Sequence, residues 1–199
     1  PYTARGVYLG VKAAAARALG TDRLAGVRVA IQGVGSVGGG LARYLAAEGA
    51  VLTLADLDTD RASRLAEELG AAVTGADAVL STEADIVCPC ALGAVLTEAS
   101  IPAIKARVVA GGANNQLATG SEGALLRERG ILYAPDYVIN AGGIINVLRH
   151  IDGAGDAEID ARIDCIPARL EAVWQESETS SLPANVVADR MAQELIGRG

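Results

Sequence analysis

A glycine-rich turn between a predicted strand and a predicted helix is the feature that most constrains how this chain folds. The run VRVAIQG is apolar and rich in β-branched residues, as buried strands are, and it leads into Gly33, Gly35 and Gly38 at the spacing GxGxxG. From Ser36 onward the apolar residues recur at helical spacing. The sequence therefore predicts a strand, a tight turn and a helix in that order.

Each of the three glycines has a separate purpose in a turn that binds a dinucleotide. The first permits the tight turn, the second lets the backbone approach a pyrophosphate, and the third lets helix and strand pack closely. The start of the helix adds unpaired N–H groups and a positive dipole end. A purely structural turn is the alternative interpretation. The residues predicted to bind the cofactor here are Gly33, Gly35, Ser36, Val37 and Gly38.

An acidic residue at the end of the next predicted strand supports the cofactor interpretation. Asp56 follows Gly38 at about the distance expected for a carboxylate that accepts hydrogen bonds from the adenosine ribose. The same charge repels a 2′-phosphate, so NAD is the predicted cofactor rather than NADP. Arg61 and Arg64 keep NADP open, because a nearby arginine can pair with that phosphate. Taken alone, Asp56 is equally consistent with an acid that ends a strand or caps a helix.

Predicted strands and helices alternate along most of the chain. The strands are short and nearly continuous in apolar residues, which is typical of a parallel sheet covered by helices on both faces. The predicted fold is therefore α/β, with a doubly wound, mostly parallel, Rossmann-like sheet. The predicted helices are 3–19, a helix from residue 36, and 59–69, and the predicted strands are 27–33, 51–56, 85–91, 106–114 and 130–136.

Helical character dominates the rest of the chain. The segment 137–151 reads as a glycine-interrupted turn into a helix, and later apolar residues recur at spacings of three and four. These residues are Ile159, Ile163, Ile166, Leu170 and Val173. The segments 152–158 and 177–184 are predicted loops because of their Gly, Ser and Pro content. We expect additional C-terminal helices within 156–199.

Composition and charge argue against several classes of protein. The 199 residues are 51% hydrophobic and carry a net charge of −7, so neither a nucleic acid nor an anionic membrane is an expected partner. The apolar stretches are shorter than a membrane span, and the start does not resemble a signal peptide. A cytoplasmic protein is predicted. The chain begins with Pro1 rather than methionine, so we expect it to be part of something longer.

Side chains that commonly bind metals or act as bases are few. Cys88, Cys90 and Cys165 match neither a disulfide framework nor a zinc site, so no metal is predicted. The first two are interpreted as small apolar residues at a buried strand end. His150, the single histidine, falls near the end of a predicted helix, where a partly charged imidazole suits the helix dipole. A catalytic histidine is the alternative.

Several long blocks of the sequence resemble the leucine, valine and phenylalanine dehydrogenase family, the branch of amino-acid dehydrogenases related to glutamate dehydrogenase. The blocks are PYTARGVYLGVKAA, DIVCPCALGAVL, VVAGGANNQLA, GILYAPDYVINAGGIINV and ADRMAQELI. They occur in the family's order and take in nearly the whole chain. The resemblance implies NAD-dependent, reversible oxidative deamination of an L-amino acid to a 2-oxo acid and ammonia.

The resemblance also implies two domains around a cleft. Residues 1–199 look like the NAD-binding domain, with 156–199 as late helices that run back towards a preceding catalytic domain. A homo-oligomer assembled through that preceding domain is implied as well. The family's lysine pair and its acid/base aspartate belong to the preceding domain, and Lys12 and Lys105 do not lie in the glycine-rich setting of those lysines. No catalytic residue is therefore assigned to this chain.

By resemblance, a second group of residues surrounds the nicotinamide and the substrate. Thr3 matches the family's threonine near the nicotinamide carboxamide, and Ala113 and Asn114 match the loop that lies along the nicotinamide ribose. Asn140 matches the asparagine placed near both the nicotinamide and the substrate. Without the resemblance, Thr3 is interpreted as a helix N-cap and Asn140 as an ordinary turn residue.

The resemblance further assigns Ile144 and Val147 to the substrate side chain, one helical turn apart after Asn140. Residues at i and i+3 share a helical face, which supports their pointing the same way. Both are β-branched, so we expect a pocket that prefers leucine, valine and isoleucine to phenylalanine. Packing of the pair in the protein core is the alternative.

Three other functions stay open at this point. One is a phenylalanine-type dehydrogenase, and another is an NAD-binding or regulatory module without catalysis. The third is a different oxidoreductase of the same fold, such as a 2-hydroxy-acid dehydrogenase, which needs a catalytic histidine or arginine after the sheet. Two glycine-flanked lysines upstream of Pro1 in the coding sequence would favour the amino-acid dehydrogenase.

Overall fold

A six-stranded sheet forms the centre of the computed structural model, which describes residues 2–197 apart from the side chains of Arg149, His150 and Asp152. The strands are β1 (Arg28–Gln32), β2 (Val51–Ala55), β3 (Ala72–Val73), β4 (Ile86–Pro89), β5 (Val108–Val109) and β6 (Leu132–Tyr133). They lie in the order β3-β2-β1-β4-β5-β6, and every neighbouring pair is parallel. The predicted doubly wound parallel sheet is confirmed.

Helices connect and cover the strands. In the described part of the chain they are α1 (Tyr2–Leu19), α2 (Ser36–Ala47), α3 (Thr59–Leu69), α4 (Glu122–Glu128), α5 (Asp136–Ile139), α6 (Gly142–Asp152), α7 (Asp156–Asp164), α8 (Ile166–Ser180) and α9 (Ala184–Leu195). Asp58 caps α3 by accepting a hydrogen bond from the Arg61 N–H at 3.0 Å, and Gly70 ends it with a φ of +65°. None of these helices is both long enough and apolar enough to cross a membrane.

The two faces of the sheet are buried against different helices. Along β1, Val29 and Ile31 belong to a hydrophobic cluster that also contains residues of α1, α2, α3 and α8. Ala30 belongs to a second cluster, which contains Leu126 of α4. Side chains alternate between the faces of a strand, so coverage on both faces explains why the strands are almost wholly apolar.

The late helices pack onto α1 and β6. Arg5 pairs with Asp160 at 3.2 Å and with Asp164 at 2.6 Å, which ties α1 to α7. Trp174 on α8 is 1% exposed, and its Nε1 donates to the carbonyl of Tyr133 at 2.8 Å. The predicted apolar series is buried throughout, at Ile159, Ile163, Ile166, Leu170 and Val173. The late helices therefore share the core of the sheet domain.

The predicted loop 177–184 is wrong in its first part, because α8 continues through Ser180. The hydroxyls of Thr179 and Ser180 donate to carbonyls one turn earlier, at 3.0 and 2.6 Å. This back-bonding lets residues that usually favour turns stay in a helix.

The other predicted loop of the late segment is also shorter than expected. Of residues 152–158, only 153–155 lie outside a helix, because α6 ends at Asp152 and α7 begins at Asp156. The edge strand β3, two residues long, was not predicted either. So short a strand has too little apolar periodicity to be recognised in a sequence.

Candidate functional site

The predicted binding residues lie at the carboxyl edge of the sheet, around the point where β1 and β4 are neighbours. The chain leaves β1 towards β2 on one side and leaves β4 towards β5 on the other, which opens a crevice between the strand ends. Gly33 follows β1, Asp56 follows β2 and Ala113 follows β5. The topology thus brings distant parts of the sequence to one edge.

The turn after β1 needs glycine at two positions for steric reasons. Gly33 has a φ of +87°, and a Cβ there would lie 2.5 Å from the Cβ of Ala91. A Cβ on Gly38 would overlap the carbonyl oxygen of Gly33 and lie 3.0 Å from the Cβ of Cys90. The end of β1 and the first turn of α2 are therefore in close backbone contact.

Gly35 differs from these two glycines because it faces open space. It is the N-cap residue of α2, and a Cβ built on it meets no described atom within 4 Å. Ser36 beside it is exposed and Val37 is half-buried. The first N–H groups of an α-helix have no partner inside the helix. An exposed helix start without side chains in front of it can bind an anionic group such as a diphosphate.

Asp56 joins the glycine turn to the start of α3 through its two carboxylate oxygens. Its Oδ2 accepts from the N–H of Val34 at 2.8 Å and its Oδ1 from the N–H of Asp58 at 2.9 Å. Burial disfavours the charged form, but these donors and the Arg61 guanidinium outweigh it and lower the pKa of Asp56. Asp56 is therefore an ionised carboxylate that shapes the turn. Its Oδ2, which accepts only from Val34, keeps a lone pair for a further donor.

Arg61 is shared between two acids. One of its nitrogens lies 3.5 Å from Asp56 Oδ1, and the other lies 3.1 Å from Asp58 Oδ2. A phosphate that approached Arg61 would have to compete with both carboxylates.

The segment after β5 is a tight loop held against the end of β4. The N–H of Ala113 donates to the Pro89 carbonyl at 2.9 Å, and the N–H of Gly112 donates to the sulfur of Cys90 at 3.4 Å. A Cβ on Gly111 would lie 2.5 Å from the nitrogen of Pro89, so the loop approaches β4 this closely only with glycine there. Cys90 contacts both this loop and the glycine turn, and Gly112 also lies against the side chain of Val37, because a Cβ on Gly112 would be 2.7 Å from Val37 Cγ1.

The structure brings Asn114 and Asn140 together. The Nδ2 of Asn140 donates to Oδ1 of Asn114 at 2.7 Å and to the carbonyl of Gly112 at 3.4 Å. Asn140 is the C-cap residue of α5. Thr3 lies within α1 rather than at an N-cap, and its Oγ1 would be 2.9 Å from a Cβ on Gly143. The residues assigned to the nicotinamide by resemblance therefore lie around the junction of α5 and α6.

Ile144 and Val147 lie on an exposed face of α6. Their exposed fractions are 66% and 43%, whereas Ile145 between them is 6% exposed and packs in the core. The same exposed face continues to Ile151. Packing of the Ile144 and Val147 pair in the core is therefore not supported.

Two buried polar residues beside the loop were not found by sequence reasoning. Gln116 is completely buried and Asp136 is 9% exposed. Gln116 lies two residues after the predicted strand 106–114, and Asp136 ends the predicted strand 130–136. Their position near the carboxyl ends of predicted strands is the signal that could have identified them. Buried polar side chains need hydrogen-bond partners, so both must be bonded within the site.

The cysteines nearest the site behave as apolar residues. Cys88 is fully buried, and burial raises its pKa well above the usual value. Burial also raises the pKa of Cys90 to about 11, although the Gly112 N–H partly opposes this. The interpretation of both as residues of a buried strand end agrees with the structure, and both thiols are free.

The two lysines are occupied by carboxylates. Lys12 lies 2.7 Å from Glu48 on α2, and Lys105 lies 2.7 Å from Glu83. Lys105 also precedes β5, at the edge of the sheet opposite the crevice. The predicted helix end at His150 is confirmed for the backbone, because α6 runs to Asp152 and Gly153 follows with a φ of +74°. The side chain of His150 is outside the described residues.

The chain is similar to known amino-acid dehydrogenases, both by family model and by individual sequence. Residues 53–149 match the model of the family described as Glutamate/Leucine/Phenylalanine/Valine dehydrogenase. The chain is 44% identical over 198 residues to leucine dehydrogenase of Bacillus subtilis, an alignment that covers 100% of this chain and 54% of that protein. It is 37% identical to phenylalanine dehydrogenase of Thermoactinomyces intermedius, with 96% of this chain and 53% of that protein covered.

A solved structure is similar along the whole chain. L-tryptophan dehydrogenase from Nostoc punctiforme matches with a TM-score of 0.95 and 37% identity, covering 100% of this chain and 61% of that one. The chain spans about half the length of the leucine and phenylalanine dehydrogenases that it matches.

Proposed function

Because the chain belongs to the glutamate/leucine/phenylalanine/valine dehydrogenase family, we propose that it is the cofactor-binding domain of an NAD-dependent amino-acid dehydrogenase. The proposed reaction is the reversible oxidative deamination of a branched-chain L-amino acid. The substrate loses a hydride from Cα and a proton from nitrogen, and water converts the resulting imine to a 2-oxo acid and ammonia. NAD, when bound, accepts the hydride.

The observation that carries this proposal is the fit of the glycine turn to a dinucleotide. Gly35 leaves the start of α2 open, whereas Gly33 and Gly38 are packed against backbone. Asp56 belongs to the same turn through its bond to the Val34 N–H at 2.8 Å. An open anion site beside an ionised carboxylate suits a pyrophosphate followed by a ribose.

We propose NAD rather than NADP for the same reason. The lowered pKa of Asp56 keeps a negative charge beside the ribose position, and this charge repels a 2′-phosphate. Arg61 is already paired with Asp56 and Asp58, so it offers the phosphate little compensation.

The nicotinamide is assigned to the other side of the crevice. Thr3 would hold the carboxamide, Ala113 and Asn114 would lie along the ribose, and Asn140 would face both nicotinamide and substrate. The hydrogen bond between Asn114 and Asn140 supports this assignment, because it places the two amides at one position. Amides can orient a neutral ring and a polar substrate without adding charge.

We assign Ile144 and Val147 to the substrate side chain. Both are exposed on one face of α6, which begins directly after the Asn140 turn. β-branched side chains at these positions favour leucine, valine and isoleucine. A phenylalanine-type enzyme is the second candidate, because phenylalanine and tryptophan dehydrogenases are among the relatives that match the whole domain.

Acid/base chemistry is assigned to a preceding domain of the same protein. Lys12 and Lys105 are paired with carboxylates and lie away from the crevice, so residues 1–199 bind and orient rather than transfer protons. The helices in 156–199 would run back towards that domain, and a homo-oligomer would assemble through it. Free thiols suit a reducing compartment, and we propose a cytoplasmic location.

Calorimetry and an activity assay on the isolated chain test the proposal. NADH should bind, NADPH should bind more weakly, and NAD with L-leucine should give no NADH. Absence of NADH binding would contradict the cofactor assignment. Sustained NADH production by the isolated chain would instead contradict the assignment of the acid/base residues to a preceding domain. A full-length protein that binds NADH but oxidises no amino acid would support a non-catalytic module.

A further inference from the structure

Gln116 closes the loop that carries Ala113 and Asn114. Its Nε2 donates to the carbonyl of Gly111 at 2.8 Å and to the carbonyl of Ala113 at 3.0 Å. The residue is completely buried. A buried primary amide is costly unless its donors are bonded, and here both donors are used on the loop itself.

The backbone of Gln116 extends this connection to the start of α5. Its N–H donates to Asp136 Oδ2 at 3.3 Å, and its carbonyl accepts from the N–H of Leu96 at 3.0 Å. The other carboxylate oxygen of Asp136 accepts from the N–H of Tyr137 at 2.9 Å. Gln116 therefore holds the loop after β5 against the first turn of α5.

The short helix α5 carries the connection to Asn140. The N–H of Asn140 donates to the Asp136 carbonyl at 2.9 Å, and its side chain returns to Asn114 at 2.7 Å. Hydrogen bonds thus link Gln116 to Asp136, Asp136 to Asn140 and Asn140 to Asn114. The short stretch of chain from Asn114 to Gln116 closes the circuit. None of the contacts that build this circuit involves Gly33, Gly35 or Asp56.

We propose that Gln116 is a positioning residue for the nicotinamide half of the cofactor and has no effect on the adenosine half. This inference rests on the proposed function. Gln116 acts through the loop and Asp136 on the placement of Asn114 and Asn140, and it does not touch the cofactor itself.

A purely structural role for Gln116 makes a different prediction. If the residue only stabilised the domain, its loss would weaken the binding of every ligand of the crevice together. ADP-ribose separates the two cases, because it contains the adenosine and pyrophosphate parts of NADH but not the nicotinamide.

The test compares Gln116→Met with Gln175→Met, a change of an exposed glutamine on α8. The Met variant keeps the side-chain length and removes both donors. We expect Gln116→Met to raise the Kd for NADH about tenfold and to change the Kd for ADP-ribose by less than about twofold. Gln175→Met should change neither value. Thermal unfolding of each variant shows whether the domain is folded.

A second variant keeps the inference testable if Gln116→Met does not fold. In Gln116→Glu, a protonated carboxyl still donates one hydrogen bond, whereas the ionised form faces two carbonyl oxygens. Burial favours the protonated form and raises its pKa. The ratio of the NADH Kd to the ADP-ribose Kd should therefore rise with pH in Gln116→Glu and stay constant in the wild type.

The possible outcomes are distinct. If the wild-type chain binds neither ligand, the proposed function fails. If it binds NADH, but the variants lose NADH and ADP-ribose equally or lose neither, the positioning inference is overturned and the proposed function stands. If the wild type binds ADP-ribose as tightly as NADH, or if both variants fail to fold, the positioning inference is also rejected.

Discussion

The crevice has two sides that lie at the same edge of one sheet but are built from different kinds of contact. On one side, the glycine turn comprises residues 33–38 together with Asp56. It depends on backbone approach, since a Cβ on Gly38 would overlap the carbonyl oxygen of Gly33. On the other side, the asparagine loop comprises residues 111–116 together with Asn140. It depends on hydrogen bonds of side chains, which join Gln116 to Asp136 and Asn114 to Asn140.

This difference has a chemical counterpart. The glycine turn presents helix N–H groups and a carboxylate, which suit a charged diphosphate and a ribose. The asparagine loop presents neutral amides, which suit orientation rather than charge attraction. On the proposed function, the first region supplies most of the affinity and the second supplies the geometry of hydride transfer.

The largest expected effect comes from alanine substitution in the glycine turn, where Gly38 is packed against backbone and Gly35 faces open space. Gly38→Ala should destabilise the fold by on the order of 3 kcal/mol and abolish NADH binding, because the new Cβ overlaps the Gly33 carbonyl. Gly35→Ala should weaken NADH binding. Its unfolding temperature should equal that of the control variant Gly155→Ala. Gly155 is a suitable control because it is also an N-cap glycine in open space.

Equal unfolding temperatures for Gly38→Ala and Gly35→Ala would show that the turn is not held by backbone contact. Unchanged NADH affinity in Gly35→Ala would remove the reason to place a diphosphate there. Calorimetry and thermal unfolding on the same samples measure both quantities.

A somewhat smaller effect is expected at Asp56. Asp56→Ala should weaken NADH binding by about 1.5 to 3 kcal/mol, because hydrogen bonds to a charged group are lost. NADPH should gain relative to NADH once the negative charge is removed. Asp60→Ala, which removes an exposed acid in the first turn of α3, is the matched control. An unchanged preference between the two cofactors in Asp56→Ala would show that Asp56 is not the ribose ligand.

The exposed face of α6 should show a graded effect on substrate choice. In the full-length enzyme, Ile144→Ala should raise kcat/KM for phenylalanine relative to leucine by about tenfold, since hydrophobic pockets discriminate by only about 1 to 3 kcal/mol per methylene. Ile151→Ala, on the same exposed face, should leave the ratio unchanged. A parent enzyme that already prefers phenylalanine, or an unchanged ratio in Ile144→Ala, would count against this pocket.

The smallest expected effect is on acid stability. The pKa of Asp56 lies below its ordinary value of 3.8 in the folded chain. Its contribution to stability is therefore fully present above 3.8 and is lost as the pH falls through the lower, folded value. Asp56→Asn should unfold with less dependence on pH in that window. A variant whose acid unfolding curve keeps the wild-type steepness would contradict the bonding of the carboxylate to Val34 and Asp58.

The parts of the fold predicted from the sequence share short-range causes. The helix 59–69 is observed as Thr59–Leu69, and β1, β2 and the start of α2 at Ser36 lie where they were expected. Apolar periodicity and glycine position act within a few residues, so they can be read along the chain. The loop prediction failed at 177–180, because Ser and Thr content does not reveal that their hydroxyls return to the helix carbonyls.

The sequence by itself determined the doubly wound class, the glycine turn and the apolar helix faces, because each depends on neighbouring residues and on the period of the backbone. Only the tertiary structure decided that Asn114 bonds to Asn140 and that Gln116 bonds to Asp136 on the segment that carries Asn140. It also decided that Ile144 is exposed while Ile145 is buried. The physical reason is that a hydrogen bond between distant segments depends on distances of a few tenths of an ångström. Those distances are set by how the strands and helices pack, and no local pattern of residue types records them.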